Sequence, residues 1–138
     1  MTDGSLTSTA KLSLTITAVN DAPTLTGVPT SFTVTEDVAG NLTFTGIAIA
    51  DIDSTSLTIT LSVADGTISA LSSGGITVGG TATVRTFTGT ISALNTYFTT
   101  SGNITYQGAL DVNGSRTLTI KVDDGSSANN ITSTTTTI

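Results

Sequence analysis

Leu57-Thr58-Ile59-Thr60-Leu61-Ser62-Val63 alternates apolar and small polar residues without a break. Period two is the spacing of a strand with one buried face, and Asp65-Gly66 just beyond it is a tight-turn signal. The same period recurs outward in both directions. Upstream, Phe32 and Val34 predict a first strand; Leu42 and Phe44, then Ile47 and Ile49, predict a second, with Gly46 shifting the phase as a bulge would. Downstream, a fourth short strand falls within residues 67–78 and a fifth around 83–87, while Ile104 and Tyr106 start a brief extended piece. Leu118, Ile120 and Val122 give a sixth strand and residues 130–138 a seventh. Ile91, Leu94 and Phe98 instead keep helical spacing, with Ser92 placed to cap a single short helix. Seven antiparallel strands of this length predict an all-β, two-sheet Greek-key sandwich with one helical turn.

Composition agrees. Roughly a quarter of the 138 residues are Thr, and Val, Ile and turn glycines make up much of the remainder, a mixture suited to pleated strands and tight connections. The chain has no Cys and no His, and one Glu among ten acids, which excludes cysteine and serine triads and His-ligated metal chemistry. An Asp pair for glycoside hydrolysis would need a concave site, whereas the acids fall in connections, so the expectation is not an enzyme. A net charge of −6 with only four Lys and Arg opposes nucleic acid and anionic membranes as partners and favours a cation. No apolar run approaches the roughly 20 residues of a membrane span.

The chain also repeats itself. Asp3-Gly4-Ser5 to Leu12-Ser13-Leu14-Thr15-Ile16 reappears as Asp124-Gly125-Ser126 to Thr134-Thr135-Thr136-Thr137-Ile138, with Ala18-Val19-Asn20-Asp21-Ala22-Pro23 directly after the first copy. The expected organisation is a tandem array. Residues 1–17 then read as the closing strand of a preceding repeat, 18–23 as a linker and 24–138 as one full repeat.

Strand parity sorts the acids. Each strand crosses the sandwich from pole to pole, so Asn20-Asp21, Asp51-Ile52-Asp53 and Asp123-Asp124-Gly125 share one pole. Glu36, Asp37, Asp65 and Asp111 share the other. Outward strand faces carry mainly Thr and Ser, so the acids are not scattered solubilising charge. Carboxylates gathered at a pole repel one another unless a hard cation sits among them, and Asp, Glu and Asn oxygens without His or Cys suit calcium.

In the segments Val19-Asn20-Asp21-Ala22-Pro23, Thr35-Glu36-Asp37, Asp51-Ile52-Asp53-Ser54, residues 87–95, Asp111-Val112-Asn113-Gly114 and Val122-Asp123-Asp124-Gly125, the chain resembles the cadherin-like repeats of large bacterial adhesins and hemolysin-type, type I-secreted surface proteins. The resemblance implies a cadherin- or immunoglobulin-like sandwich at the bacterial surface or outside the cell, with calcium held between successive repeats. Asn20, Asp21, Asp51, Asp53 and Asp124 match the upper half-site, and Glu36 the lower. Where related repeats often place an Asp after Asn-Gly, this chain has Arg116. The implied role is a calcium-stiffened stalk or spacer in adhesion whose partners are neighbouring repeats.

The rival reading is a carbohydrate-binding module, since sandwiches can bind sugars on aromatic platforms and some such repeats are associated with surface polysaccharide. Against it, Trp is absent, and Phe32, Phe44 and Phe87 sit on apolar periodicities that belong to a core.

Overall fold

The alternating stretch around Leu57 is the central strand of the molecule. In chain order the computed structural model has β1 (Thr24–Thr26), β2 (Gly40–Asn41), β3 (Ala48–Ala50), β4 (Ser56–Ser62), β5 (Thr67–Ala70), β6 (Thr77–Gly80) and β7 (Val84–Thr90). Helix α1 (Ile91–Thr99) follows, then β8 (Ile104–Gln107), β9 (Thr117–Asp123) and β10 (Ile131–Thr137). The structure describes residues 4–138, and Asp3, at the head of the repeated segment, lies outside them.

Five strands in the order β10-β9-β4-β7-β6 form one antiparallel sheet, opposed by a three-stranded sheet β2-β8-β5 and the pair β1-β3. Leu57, Ile59 and Leu61 of β4, Phe87 of β7, and Leu118, Ile120 and Val122 of β9 supply one wall of the core. Ile49, Ile68, Ile104 and Tyr106, with Leu94, Tyr97 and Phe98 of α1, supply the other. The chain is therefore an all-β sandwich with one short helix, built from ten strands among the described residues rather than seven.

Each difference has a local cause. Phe32 and Val34 do not form a strand; the segment is fastened by a parallel bridge from Ser31 to Thr137 and by the Phe32 amide, which donates to the Thr137 carbonyl at 2.8 Å. The second strand splits because the Phe44 amide leaves the sheet for the Phe98 carbonyl at the end of α1, 3.0 Å away. Gly46 makes a turn rather than a bulge: the Ile47 amide donates back to the Phe44 carbonyl at 3.2 Å, with Gly46 at φ +87°. Gly46 is required by conformation alone, whereas the facing Gly27, at φ +66°, is required by contact too, since a Cβ there would lie 1.9 Å from the Gly46 carbonyl oxygen. The fourth strand becomes two, β5 and β6, in different sheets. Helix α1 starts two residues earlier than a cap at Ser92 would set it, capped instead by the Thr90 hydroxyl, which accepts the Ala93 amide at 3.2 Å.

The seventh strand reads on its face as a polar tract, and two of its inward hydroxyls, those of Thr132 and Thr136, have partners. Thr136, 5 % exposed, donates to the Pro29 carbonyl at 2.5 Å, and Thr132 donates to that of Pro23. The closing strand and the opening segment of the unit are thereby joined side by side.

Residues 4–19 lie outside every strand and helix and are exposed throughout, Leu12, Leu14 and Ile16 included. Deleting residues 1–16 is therefore expected to change unfolding free energy by less than about 0.5 kcal/mol, the usual scale of surface changes. A urea titration that finds a loss above about 2 kcal/mol would make this segment part of the fold.

Candidate metal centre

Because β4 leaves Asp51-Ile52-Asp53 at one end and reaches Asp65 at the other, its roughly 20 Å of strand separates the two acidic loops. The acids fall at the two poles as strand parity predicts. At the upper pole the linker is fastened to the sandwich on both sides. The Asn20 amide donates to Asp124 Oδ2 at 2.7 Å, and the Asp21 backbone amide donates to Asp53 Oδ2 at 2.8 Å. Asp51 Oδ1 accepts from the backbone amides of Asp53 at 2.8 Å and Ser54 at 2.7 Å, a turn-closing role natural to Asp. Its other oxygen, Asp51 Oδ2, is buried without a hydrogen-bond partner. An orphaned buried acceptor costs about 1–3 kcal/mol, and a charged one more. Asp21 and Asp51 share the lining of a groove of about 360 Å³ with Ala22, Thr24, Ala50 and Ile52.

Several contributors carry no acidic signature. Asn20 Nδ2 also donates to the carbonyls of Ala128 and Asn129, both at 3.1 Å, and Asn20 Oδ1 accepts the Ser126 hydroxyl at 2.9 Å. Asn129 returns a bond to the Asn20 carbonyl at 3.3 Å and has φ +49°, a left-handed conformation that Asn tolerates. That tolerance is the one signal in the sequence that could have singled it out.

These bonds shift two carboxyls. The Asn20 amide, then the Ser126 backbone amide, hold Asp124 below the usual carboxylate value. Asp123 is lowered chiefly by the Gly125 backbone amide, with Lys121 Nζ 3.1 Å away assisting against partial burial. A depressed carboxyl stabilises the fold above its unfolded value and loses that contribution as pH falls through the folded one. The acid-side loss is thus expected below about pH 4, near the unfolded value. Asn20→Ala should cost stability at pH 7, and the gap to the unsubstituted chain should narrow as the pH falls below about 4, leaving only the part owed to the bonds with Ala128, Asn129 and Ser126. Urea midpoints across that range measure it; a gap independent of pH would detach Asn20 from Asp124.

The lower pole is organised differently. Asp37 Oδ1 accepts the Asp111 backbone amide at 3.3 Å, and both residues have positive φ, +59° and +56°. Asp65 is occupied by Arg116, whose Nε lies 2.7 and 2.9 Å from its two carboxylate oxygens. Arg116 Nη1 donates to the carbonyls of Gly114 and Ser115, both at 3.2 Å, so one guanidinium neutralises Asp65 and closes the loop before it. Glu36 lines a cavity of about 120 Å³ beside Arg116.

Among the described residues no three acidic side chains converge into a group that could hold a metal ion. The structure joins Asn20 to Asp124 and Asp21 to Asp53, while Asp51 keeps one oxygen free and Glu36 lies at the far pole. The donor chemistry, carboxylate and amide oxygens with one buried carboxylate oxygen unpaired, fits a hard cation. It does not fit sugar stacking: Phe44, Phe87, Phe98, Tyr97 and Tyr106 are buried, and Phe32 packs edge-on against Phe44 at 4.9 Å. Among the described residues no helix is long and apolar enough to cross a membrane. No protein-family model matches the chain, and no curated protein does.

Proposed function

We propose that this chain is a structural repeat of a bacterial extracellular adhesin, a stalk or spacer that calcium stiffens at the junctions between repeats. The observation that carries the reading is the upper pole. There the linker residues Asn20 and Asp21 are bonded to Asp124 and Asp53, beside a buried Asp51 oxygen with no donor. Asn20, Asp21, Asp51, Asp53 and Asp124 would hold the ion from this side, and acids such as Glu36 at the lower pole of the neighbouring repeat would complete its shell. Bound there, calcium neutralises facing carboxylates. The chain's own part is positional: Pro23 fixes its φ and restricts Ala22 to extended backbone, so the hinge has few free torsions. The sandwich itself serves as a rigid spacer between junctions.

Isothermal calorimetry tests this directly. Calcium should bind with measurable heat, magnesium much more weakly, and Asp51→Asn combined with Asp53→Asn should weaken calcium at least about tenfold, the equivalent of 1.4 kcal/mol. Identical heats for calcium and magnesium, or for the double variant and the parent chain, would overturn it.

A further inference from the structure

The two poles carry exposed apolar residues as well as acids. At the upper pole Val19 is 72 % exposed and Ile52 82 %. On the lower-pole loops Val38, Leu110 and Val112 are exposed, and Val112 joins Val34, Ile138 and the Tyr106 ring as the apolar walls of the 120 Å³ cavity. Apolar side chains held out on loops at both ends of a sandwich suit an end-to-end contact.

The internal repeat supplies the register. Aligning Ile16 with Ile138 places Leu14 on Thr136 and Leu12 on Thr134, and Thr134 and Thr136 are inward positions of β10. In the first copy, Val19 follows Ile16 by three residues. Three residues reach at most about 10 Å. A Val placed three residues after Ile138 is therefore confined to the neighbourhood of the cavity that Ile138 helps to line. The isopropyl group is small enough for that space, and Arg116 in the same wall is already held by Asp65 and by the carbonyls of Gly114 and Ser115, so the wall keeps its shape without the newcomer.

We infer that the lower-pole cavity is a socket for the Val19 side chain of the next copy of this unit, seated by the run of chain that leaves β10. This rests on the tandem reading and deepens it: the junction has an apolar latch independent of any ion. Val19 and Ile52 are exposed in a single unit because their partner surface belongs to the unit before.

The test uses the whole chain continued by its own residues 17–138, which preserves the Ile16-Thr17 junction. Hydrogen exchange is followed in EDTA at the amides of Asp111, Val112 and Arg116 of the first unit; these bond to Asp37, Ala109 and Ile138. Exchange is expected to be at least about fivefold slower in the two-unit chain than in the single one, as burial of the loop requires. Val19→Ser in the second unit should restore the single-chain rate, whereas the same change in the first unit should not. Gly108→Leu in the first unit should also abolish the protection by filling the socket; an added Cβ there meets only ordinary contact, 3.7 Å from the Val112 carbonyl oxygen. Equal rates in one-unit and two-unit chains, or protection indifferent to Val19→Ser, would overturn the socket. The metal reading is judged separately. Protection in EDTA with no binding of calcium sinks the ion and leaves the latch, and calcium-dependent stiffening without EDTA protection does the reverse.

Discussion

Saturating calcium is expected to raise the midpoint of thermal unfolding by roughly 10 °C. A ligand held only by the native state, at a hundredfold excess over its dissociation constant, adds about 2.7 kcal/mol. In a domain of this size each kcal/mol moves the midpoint by about 4 °C. Magnesium should do far less, because it demands a near-octahedral shell and sheds water reluctantly. Asp51→Asn with Asp53→Asn should remove the shift. In EDTA the same variant should melt no lower than the parent: an Asn oxygen can still accept the bonds that Asp53, Ser54 and Asp21 donate at this turn, while the repulsion between carboxylates is relieved. Melts in EDTA and in millimolar calcium that superimpose would remove the basis of the proposed function.

Phe98→Ala is expected to cost about 4 kcal/mol, within the range for deleting a buried phenyl ring. Phe98 is fully buried, with ring centroids 5.2 Å from Phe44, 5.1 Å from Phe87 and 6.0 Å from Tyr97. It is where α1, β7 and the segment after β2 meet. Its carbonyl, which accepts the Phe44 amide, survives the substitution, so the loss reports on the ring alone. A stability of 5–15 kcal/mol is usual for a domain, so the variant should fold and give a full denaturant transition. A loss below about 2 kcal/mol would mean that the helix does not close this core.

Alternation was enough to find β4 and β9, because each buries one face against a wall of side chains and every second residue records it, whereas β7, with Phe87 alone fully buried, was marked by the Gly79-Gly80 turn signal before it. The last strand is another matter. β10 is an almost unbroken run of Thr and Ser, and only its likeness to Leu12, Leu14 and Ile16 exposes the period two beneath it. What stayed hidden depends on distant partners. β1 has a single apolar residue, Leu25, and exists because Thr24–Thr26 meets Ala48–Ala50. The break after Asn41 follows from a bond to a helix that lies more than fifty residues away along the chain. At the candidate site, counting strand crossings brought Asn20, Asp21, Asp53 and Asp124 to one pole, and their hydrogen bonds are found there. Counting could not reveal that Asp51 would hold one oxygen in a turn and leave the other buried and unpaired. Nor could it pair Asp65 with Arg116, since parity treats acids and bases alike.

The parallel bridge between Ser31 and Thr137 has a mechanical meaning. The chain enters and leaves the sandwich on adjacent segments that point the same way, tied by the Phe32 amide and by the hydroxyls of Thr132 and Thr136. Tension between the two ends pulls those segments past each other along their length, so the ties bear the load together as a lap joint does, rather than opening in turn like a zip. A unit closed in this way resists stretching at the place where force enters it.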